Sequence, residues 1–159
     1  MGTKNSDLVA NFEATPPVLT DSSLLHGVLR VAQGTIVVAA GDSDDDDIVM
    51  LAPIPSNAAV PSLFIGSDTF GGSCTFNVGI YTSAGVVKDE DVFATAVADA
   101  GAMADVRFEA ADIDTAGKKM WELAGDSSDP GGYYYIAATM AAAGGTAGTM
   151  SWNISYVVN

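Results

Sequence analysis

Apolar and polar residues alternate one by one along much of this chain, and that period of two constrains the fold more than any other feature. Over residues 73–82, Cys74, Phe76, Val78 and Ile80 fall on one face, with Thr75, Asn77 and Gly79 on the other. Over 149–158, Met150, Trp152, Ile154 and Tyr156 alternate with Ser151, Asn153 and Ser155. Over 105–110, Val106 and Phe108 oppose Asp105, Arg107 and Glu109. A helix turns such residues onto different faces, so the pattern fits half-buried antiparallel strands. Less regular strands are predicted at 27–33, 35–40, 48–54, 59–66, 119–124 and 133–141, with Gly34 marking a bulge or bend between the first two. Turn signals recur at Gly41-Asp42, Gly71-Gly72, Ala84-Gly85, Asp129-Pro130-Gly131-Gly132 and Gly144-Gly145. Many short strands so punctuated predict an all-β fold, an antiparallel β-sandwich of jelly-roll type. One segment departs from the pattern. Asp89-Glu90-Asp91 precedes Val92, Phe93, Ala96, Val97 and Ala100, and Gly101 follows. An acidic first turn, helical spacing and a glycine stop predict one short helix in a connection.

The 159 residues suit one sandwich domain over 25–159, preceded by an extended arm over 1–24. The arm lacks periodicity and is stiffened by Pro16-Pro17. Leu8, Val9 and Phe12 would be poorly covered on a free tail, so they are the candidate partner-contact residues. At the other end, residues 131–159 contain no charged side chain, in a chain of net charge −14. Two explanations fit equally: a buried central hairpin, or a surface that packs against another subunit.

Composition removes several function classes. Six Lys and Arg stand against 20 Asp and Glu, which leaves no cationic surface for phosphate contacts, so no nucleic-acid partner is expected. No apolar run approaches the ~18–20 residues that span a bilayer, and no secretory signal is visible. The start Met1-Gly2-Thr3-Lys4-Asn5-Ser6 formally fits a myristoylation pattern, but a plain flexible arm explains it. Cys74 is the single cysteine, and its place among core residues marks it as a buried thiol. The lone His26 makes histidine-based catalysis or metal binding a poor fit.

The acidic run Asp42-Ser43-Asp44-Asp45-Asp46-Asp47 is the densest set of hard oxygen ligands. Asp42, Asp44 and Asp46 match the first positions of a calcium loop, but Asp47 and Pro53 stand where glycine and glutamate are required. The simpler reading is a solvated hairpin loop. Asp112, Asp114 and Gly117 form a weaker echo, again without the closing glutamate. Gly125-Asp126-Ser127 resembles the nucleophile segment of chymotrypsin-like proteases, but Ser128-Asp129-Pro130 departs from it and the chain is too short for two barrels. A turn accounts for these residues. Trp121, Trp152 and Tyr133–Tyr135 offer aromatic surface suited to a sugar platform or an ordinary core and interface. No cofactor is expected, calcium being the one candidate, and no catalytic residues are identified.

Several segments resemble small head-associated structural proteins of tailed bacteriophages. They are Thr3-Lys4-Asn5-Ser6-Asp7-Leu8-Val9-Ala10-Asn11-Phe12-Glu13-Ala14, the stretch from Leu25-His26-Gly27 through Arg30-Val31-Ala32-Gln33-Gly34 to Asp46-Asp47-Ile48-Val49-Met50-Leu51, and Ser127-Ser128-Asp129-Pro130-Gly131-Gly132-Tyr133-Tyr134. Residues 68–104 are the most divergent. The resemblance implies a non-enzymatic virion protein that decorates or cements the capsid. It implies the major capsid protein as partner and a homo-oligomer, with a trimer suiting threefold positions on a shell. The acidity fits the capsid exterior, away from packaged DNA. Competing readings are a carbohydrate-binding jelly roll, assisted by calcium at residues 42–47, and a head–tail connector or tail component.

Overall fold

The alternation is realised in eight strands. In the computed structural model, which describes residues 5–21, 24–25, 27–110 and 113–158, they are β1 (Leu29–Val38), β2 (Ile48–Pro55), β3 (Ala58–Ser67), β4 (Thr75–Tyr81), β5 (Val87–Ala98), β6 (Ala104–Asp105), β7 (Tyr133–Ala142) and β8 (Gly148–Val158). Two short helices accompany them, α1 (Asp7–Glu13) and α2 (Met120–Leu123). His26, Asp112 and Met1-Gly2-Thr3-Lys4 lie outside the described residues.

The strands form two four-stranded antiparallel sheets, ordered β1-β8-β3-β6 and β2-β7-β4-β5. First therefore pairs with last, second with seventh, third with sixth and fourth with fifth, which is the nested connectivity of a jelly roll. Inward residues of both sheets meet in one core. Leu63, Ile65, Met150 and Ile154 come from the first sheet, and Ile54, Phe76, Val78, Ile80, Ile136 and Met140 from the second. The sequence alternation places each of them inward by strand geometry alone.

Several local expectations are corrected. The segment expected to be helical at Asp89–Gly101 is strand β5, and the short helix in a connection is α2 instead. Phe93 and Ala94 are wholly buried by pairing with β4, and that long-range burial outweighs the local helical spacing. The acidic triplet forms a bulge: the register jumps from Val78↔Ala94 to Ile80↔Asp89. The bulge folds over the outer face of β4, where Asn77 Nδ2 donates to Glu90 Oε1 at 2.8 Å. Gly79 permits this approach, since a Cβ there would lie 2.1 Å from the Asp89 carbonyl oxygen.

The strand expected at 119–124 is α2. Met120 and Leu123, three apart, are both buried, and Glu122 accepts from the Lys119 backbone N–H at 2.8 Å to cap the helix. Gly34 is neither bulge nor bend. β1 runs in unbroken register from Leu29↔Val157 to Val38↔Gly148, and the space above Gly34 is taken by the Trp152 indole. The strand expected over 105–110 ends at Asp105. Arg107, expected on a polar face, is completely buried. The arm contains α1, whose N-cap Ser6 hydroxyl accepts from the Val9 N–H at 3.4 Å. The uncharged C-terminal region is not a hairpin, because β7 and β8 belong to different sheets.

Candidate functional site

The residues singled out for cation chemistry do not converge. Asp42, Asp44, Asp45 and Asp46 are all exposed. The loop is ordered by its own backbone: the Asp44 N–H donates to Asp47 Oδ2 at 2.8 Å, and the Asp46 N–H to the Met140 carbonyl at 2.9 Å. Ser43 is fully buried beneath it and accepts from the Gly145 N–H at 3.1 Å, which staples the loop to the β7–β8 connection. Among the described residues, no group of three or more His, Cys, Asp or Glu is arranged to hold a metal ion.

Asp126 and Ser127 follow the end of α2, where Gly125 takes a left-handed conformation (φ 76°). Asp126 accepts from the Tyr134 hydroxyl and from Lys88 Nζ, the latter at 2.9 Å. These two hydrogen bonds hold its carboxyl below the usual range. The Tyr134 hydroxyl is pushed up to about 12, first by burial and then by the Asp126 carboxylate. This is a structural tie between α2, β5 and β7. Cys74 is buried as expected from its alternation. Burial, and next Asp99, push its thiol above the ordinary value, the opposite of a nucleophile's requirement.

Arg107 was not legible as a buried residue. Its Nε donates to the Val60 carbonyl at 2.7 Å and its Nη2 to the Thr115 carbonyl at 3.2 Å. The guanidinium lies over the Phe93 and Phe108 rings, at 5.1 and 4.4 Å from their centroids. It joins β3, β5 and the 113–115 turn. It serves the fold and faces no open site.

What the chain leaves open is surface. The two sheets differ sharply on their outer faces. On the second, the β5 bulge covers β4, and the outward residues Tyr81, Ala137 and Thr139 are buried. On the first, Thr35 and Ser151 share a hydroxyl hydrogen bond of 2.9 Å, and Asn153 Nδ2 donates to Gln33 Oε1 at 3.3 Å. Phe64 and Met103 are exposed. Across β1, β3 and β8 the only charged residue is Arg30. The uncharged C-terminal region thus has two causes. β7 lacks charge because it is interior, whereas β8 turns an uncharged polar face outward. The sites proposed for partner contact come together: Leu8, Val9 and Phe12 of α1, with Leu25, line an apolar recess of about 250 Å³.

The fold has a counterpart among solved structures. A chain of the cyanophage Pam1 capsid asymmetric unit superposes with a TM-score of 0.51 at 14% identity, covering 84% of this chain and 86% of that one. The protein has the fold of a phage capsid chain. A chain of the capsid of Ralstonia phage GP4 gives a TM-score of 0.47 at 19% identity, with the same coverage of 84% and 86%. No family model and no curated protein matches the sequence. Among the described residues, no helix is long and apolar enough to cross a membrane.

Proposed function

We propose that this protein is a non-enzymatic virion component of a tailed phage, a capsid decoration or cement protein that stabilises the head shell through contacts with the major capsid protein. The observation that carries this reading is the fold similarity, over 84% of this chain, to a chain of the Pam1 capsid asymmetric unit. The surface supports it. Polar groups with perturbed ionisation are tied into the fold, while an uncharged sheet face and the apolar side of α1, Leu8, Val9 and Phe12, are left outward. On this reading the protein sits on the capsid exterior, where its net charge of −14 faces solvent rather than DNA. A trimer would match the symmetry of such a shell.

The test is the number of copies of this chain relative to the major capsid protein in purified particles. A ratio near one, or a simple fraction of one, is the expected result. A few copies per particle would move the protein to the head–tail connector or tail. Absence from the particle would overturn the virion reading, and a glycan array would then test the carbohydrate-binding alternative.

A further inference from the structure

Four strands lie at sheet edges, and three of them are protected. β2 carries Pro53 and Pro55. β5 carries Lys88, Asp89, Glu90 and Asp91, and its register is repeatedly broken. β6 is two residues long. Prolines, charges, bulges and brevity are the devices that keep a row of unpaired N–H and C=O groups from recruiting another strand. β1 has a single charge, Arg30, and none of the other devices. It is ten residues long and in unbroken register with β8. Its residues alternate between two faces. Val31, Gln33, Thr35 and Val37 turn to the outer face of the sheet, and Arg30, Ala32, Gly34, Ile36 and Val38 to the other. At the C-terminal end of β1, Asp42 and Asp47 stand with Ile36, Val38 and Ile48 around a recess of about 280 Å³. Arg30 is exposed, and among the described residues no ion pair engages it.

This strand is complementary to itself when run antiparallel. A two-fold axis through Gly34 sets Val31 opposite Val37, Gln33 opposite Thr35, Ala32 opposite Ile36 and Arg30 opposite Val38. Both members of each pair then share a face, as direct partners in a sheet must. Val31, 52% exposed, and Val37, 73% exposed, become an apolar pair on the outer face. On the other face, Arg30 of one copy comes beside Asp42 and Asp47 of the second. A slip of two residues in either direction sets one of the valines against Thr35 or Gln33. Net charge opposes the association of two chains of −14, but this arrangement answers it locally. Each acidic loop meets the other copy's Arg30. The strand ends nearest the two loops lie roughly 27 Å apart at ~3.4 Å per residue, well beyond a screening length of ~8 Å. We infer that β1 pairs with β1 of a second copy about this two-fold axis, joining the two β1-β8-β3-β6 sheets into one. The contact is isologous, and it is distinct from any threefold arrangement on a shell.

The test uses the isolated full-length chain, so its failure leaves the particle count untouched. Sedimentation velocity at micromolar concentration should show a species of twice the 16.2 kDa chain. Arg30→Glu and Asp42→Lys, both at exposed positions, should each sediment as folded monomers. An equimolar mixture of the two should regain the dimer, because each end of the paired strands then joins a cation to an anion. That restoration separates a lost contact from a folding defect. Equal amounts of Val31→Cys and Val37→Cys chains, mixed and oxidised, should link one to the other, since direct partners lie within disulfide reach. Neither should link to its own kind, and Cys74 is buried and takes no part. A monomeric wild type would overturn the inference and leave the edge to a strand of another protein. So would a dimer indifferent to both charge reversals, or cysteine chains that link only to their own kind.

Discussion

Replacing Gly79 by alanine tests the least expected feature of this fold, the acidic bulge of β5 lying over β4. A Cβ at this position would stand 2.1 Å from the Asp89 carbonyl oxygen and 2.2 Å from that of Glu90. Both obstacles are backbone, so neither can rotate aside. An ordinary contact is about 3.4 Å or more, and the bulge must therefore lift by more than about 1 Å; overpacking of this kind costs ~1–3 kcal/mol. Lifting it also strains the Asn77–Glu90 hydrogen bond, worth ~0.5–1.5 kcal/mol. The sum is ~1.5–4.5 kcal/mol, or a fall of roughly 3–18 °C in melting temperature for a domain of this size. Thermal unfolding followed by circular dichroism measures it. Gly41→Ala is the control: nothing lies within 4 Å of its Cβ position, so its melting temperature should match the wild type. If Gly79→Ala melts within about 1 °C of wild type, the bulge does not rest on Gly79 and the account of β5 is wrong.

The remaining predictions concern the buried polar groups. Arg107→Lys keeps the charge but loses the planar fork that reaches both the Val60 and Thr115 carbonyls. It should cost ~2 kcal/mol in urea unfolding, and a neutral result would show that the fork contributes nothing. Tyr134→Phe removes the hydroxyl bonded to Asp126 and should destabilise the protein at pH 8. The Tyr134 hydroxyl is raised to about 12, above the ordinary ~10. Its contribution is therefore complete below pH ~10 and is lost as the pH rises towards 12, so wild type and variant should converge in stability over that window. A gap that persists at pH 12 would refute the assignment. Cys74 should resist a thiol reagent in the native protein and react once urea unfolds it, since its thiol is buried and raised. Rapid labelling of the folded chain would contradict that burial.

The architecture was legible because strand burial is set by parity. Once Phe76, Val78 and Ile80 alternate with Asn77 and Gly79, only one assignment of faces buries the large side chains, and the same holds for Met150, Trp152 and Ile154. The local errors came where long-range contacts overrode local signals. Asp89-Glu90-Asp91 followed by Val92 and Phe93 has the form of a helix start. The triplet instead lies over the glycine gap at Gly79, and nothing within five residues announces that gap. Gly34 looked like a break in β1 because a strand glycine usually marks one. Its partner Trp152, 118 positions away in the chain, supplies the missing side chain. In both cases the glycine is explained by a neighbour remote in sequence, which a local reading cannot see.

The candidate surface was legible to a different depth. Leu8, Val9 and Phe12 stood out because apolar residues on an arm need a cover, and α1 does bring them to one side of a recess. The absence of charge over 131–159 stood out as well, but its two explanations separate only when topology assigns β7 and β8 to different sheets. β7 sits between β2 and β4 and is charge-free because it is interior. β8 sits between β1 and β3, and its outward residues Ser151, Asn153 and Ser155 are polar but never ionised. Burial inside the subunit does not demand that of them, as β5 shows by holding three acids, two half-buried and one exposed, over the outer face of the other sheet. A net charge of −14 distributed so that one sheet face and one unprotected edge are spared is the pattern expected of a contact surface. It leads to β1, a strand whose importance no motif signals, because what marks it is a single charge and the absence of the prolines, bulges and brevity that guard the other three edges.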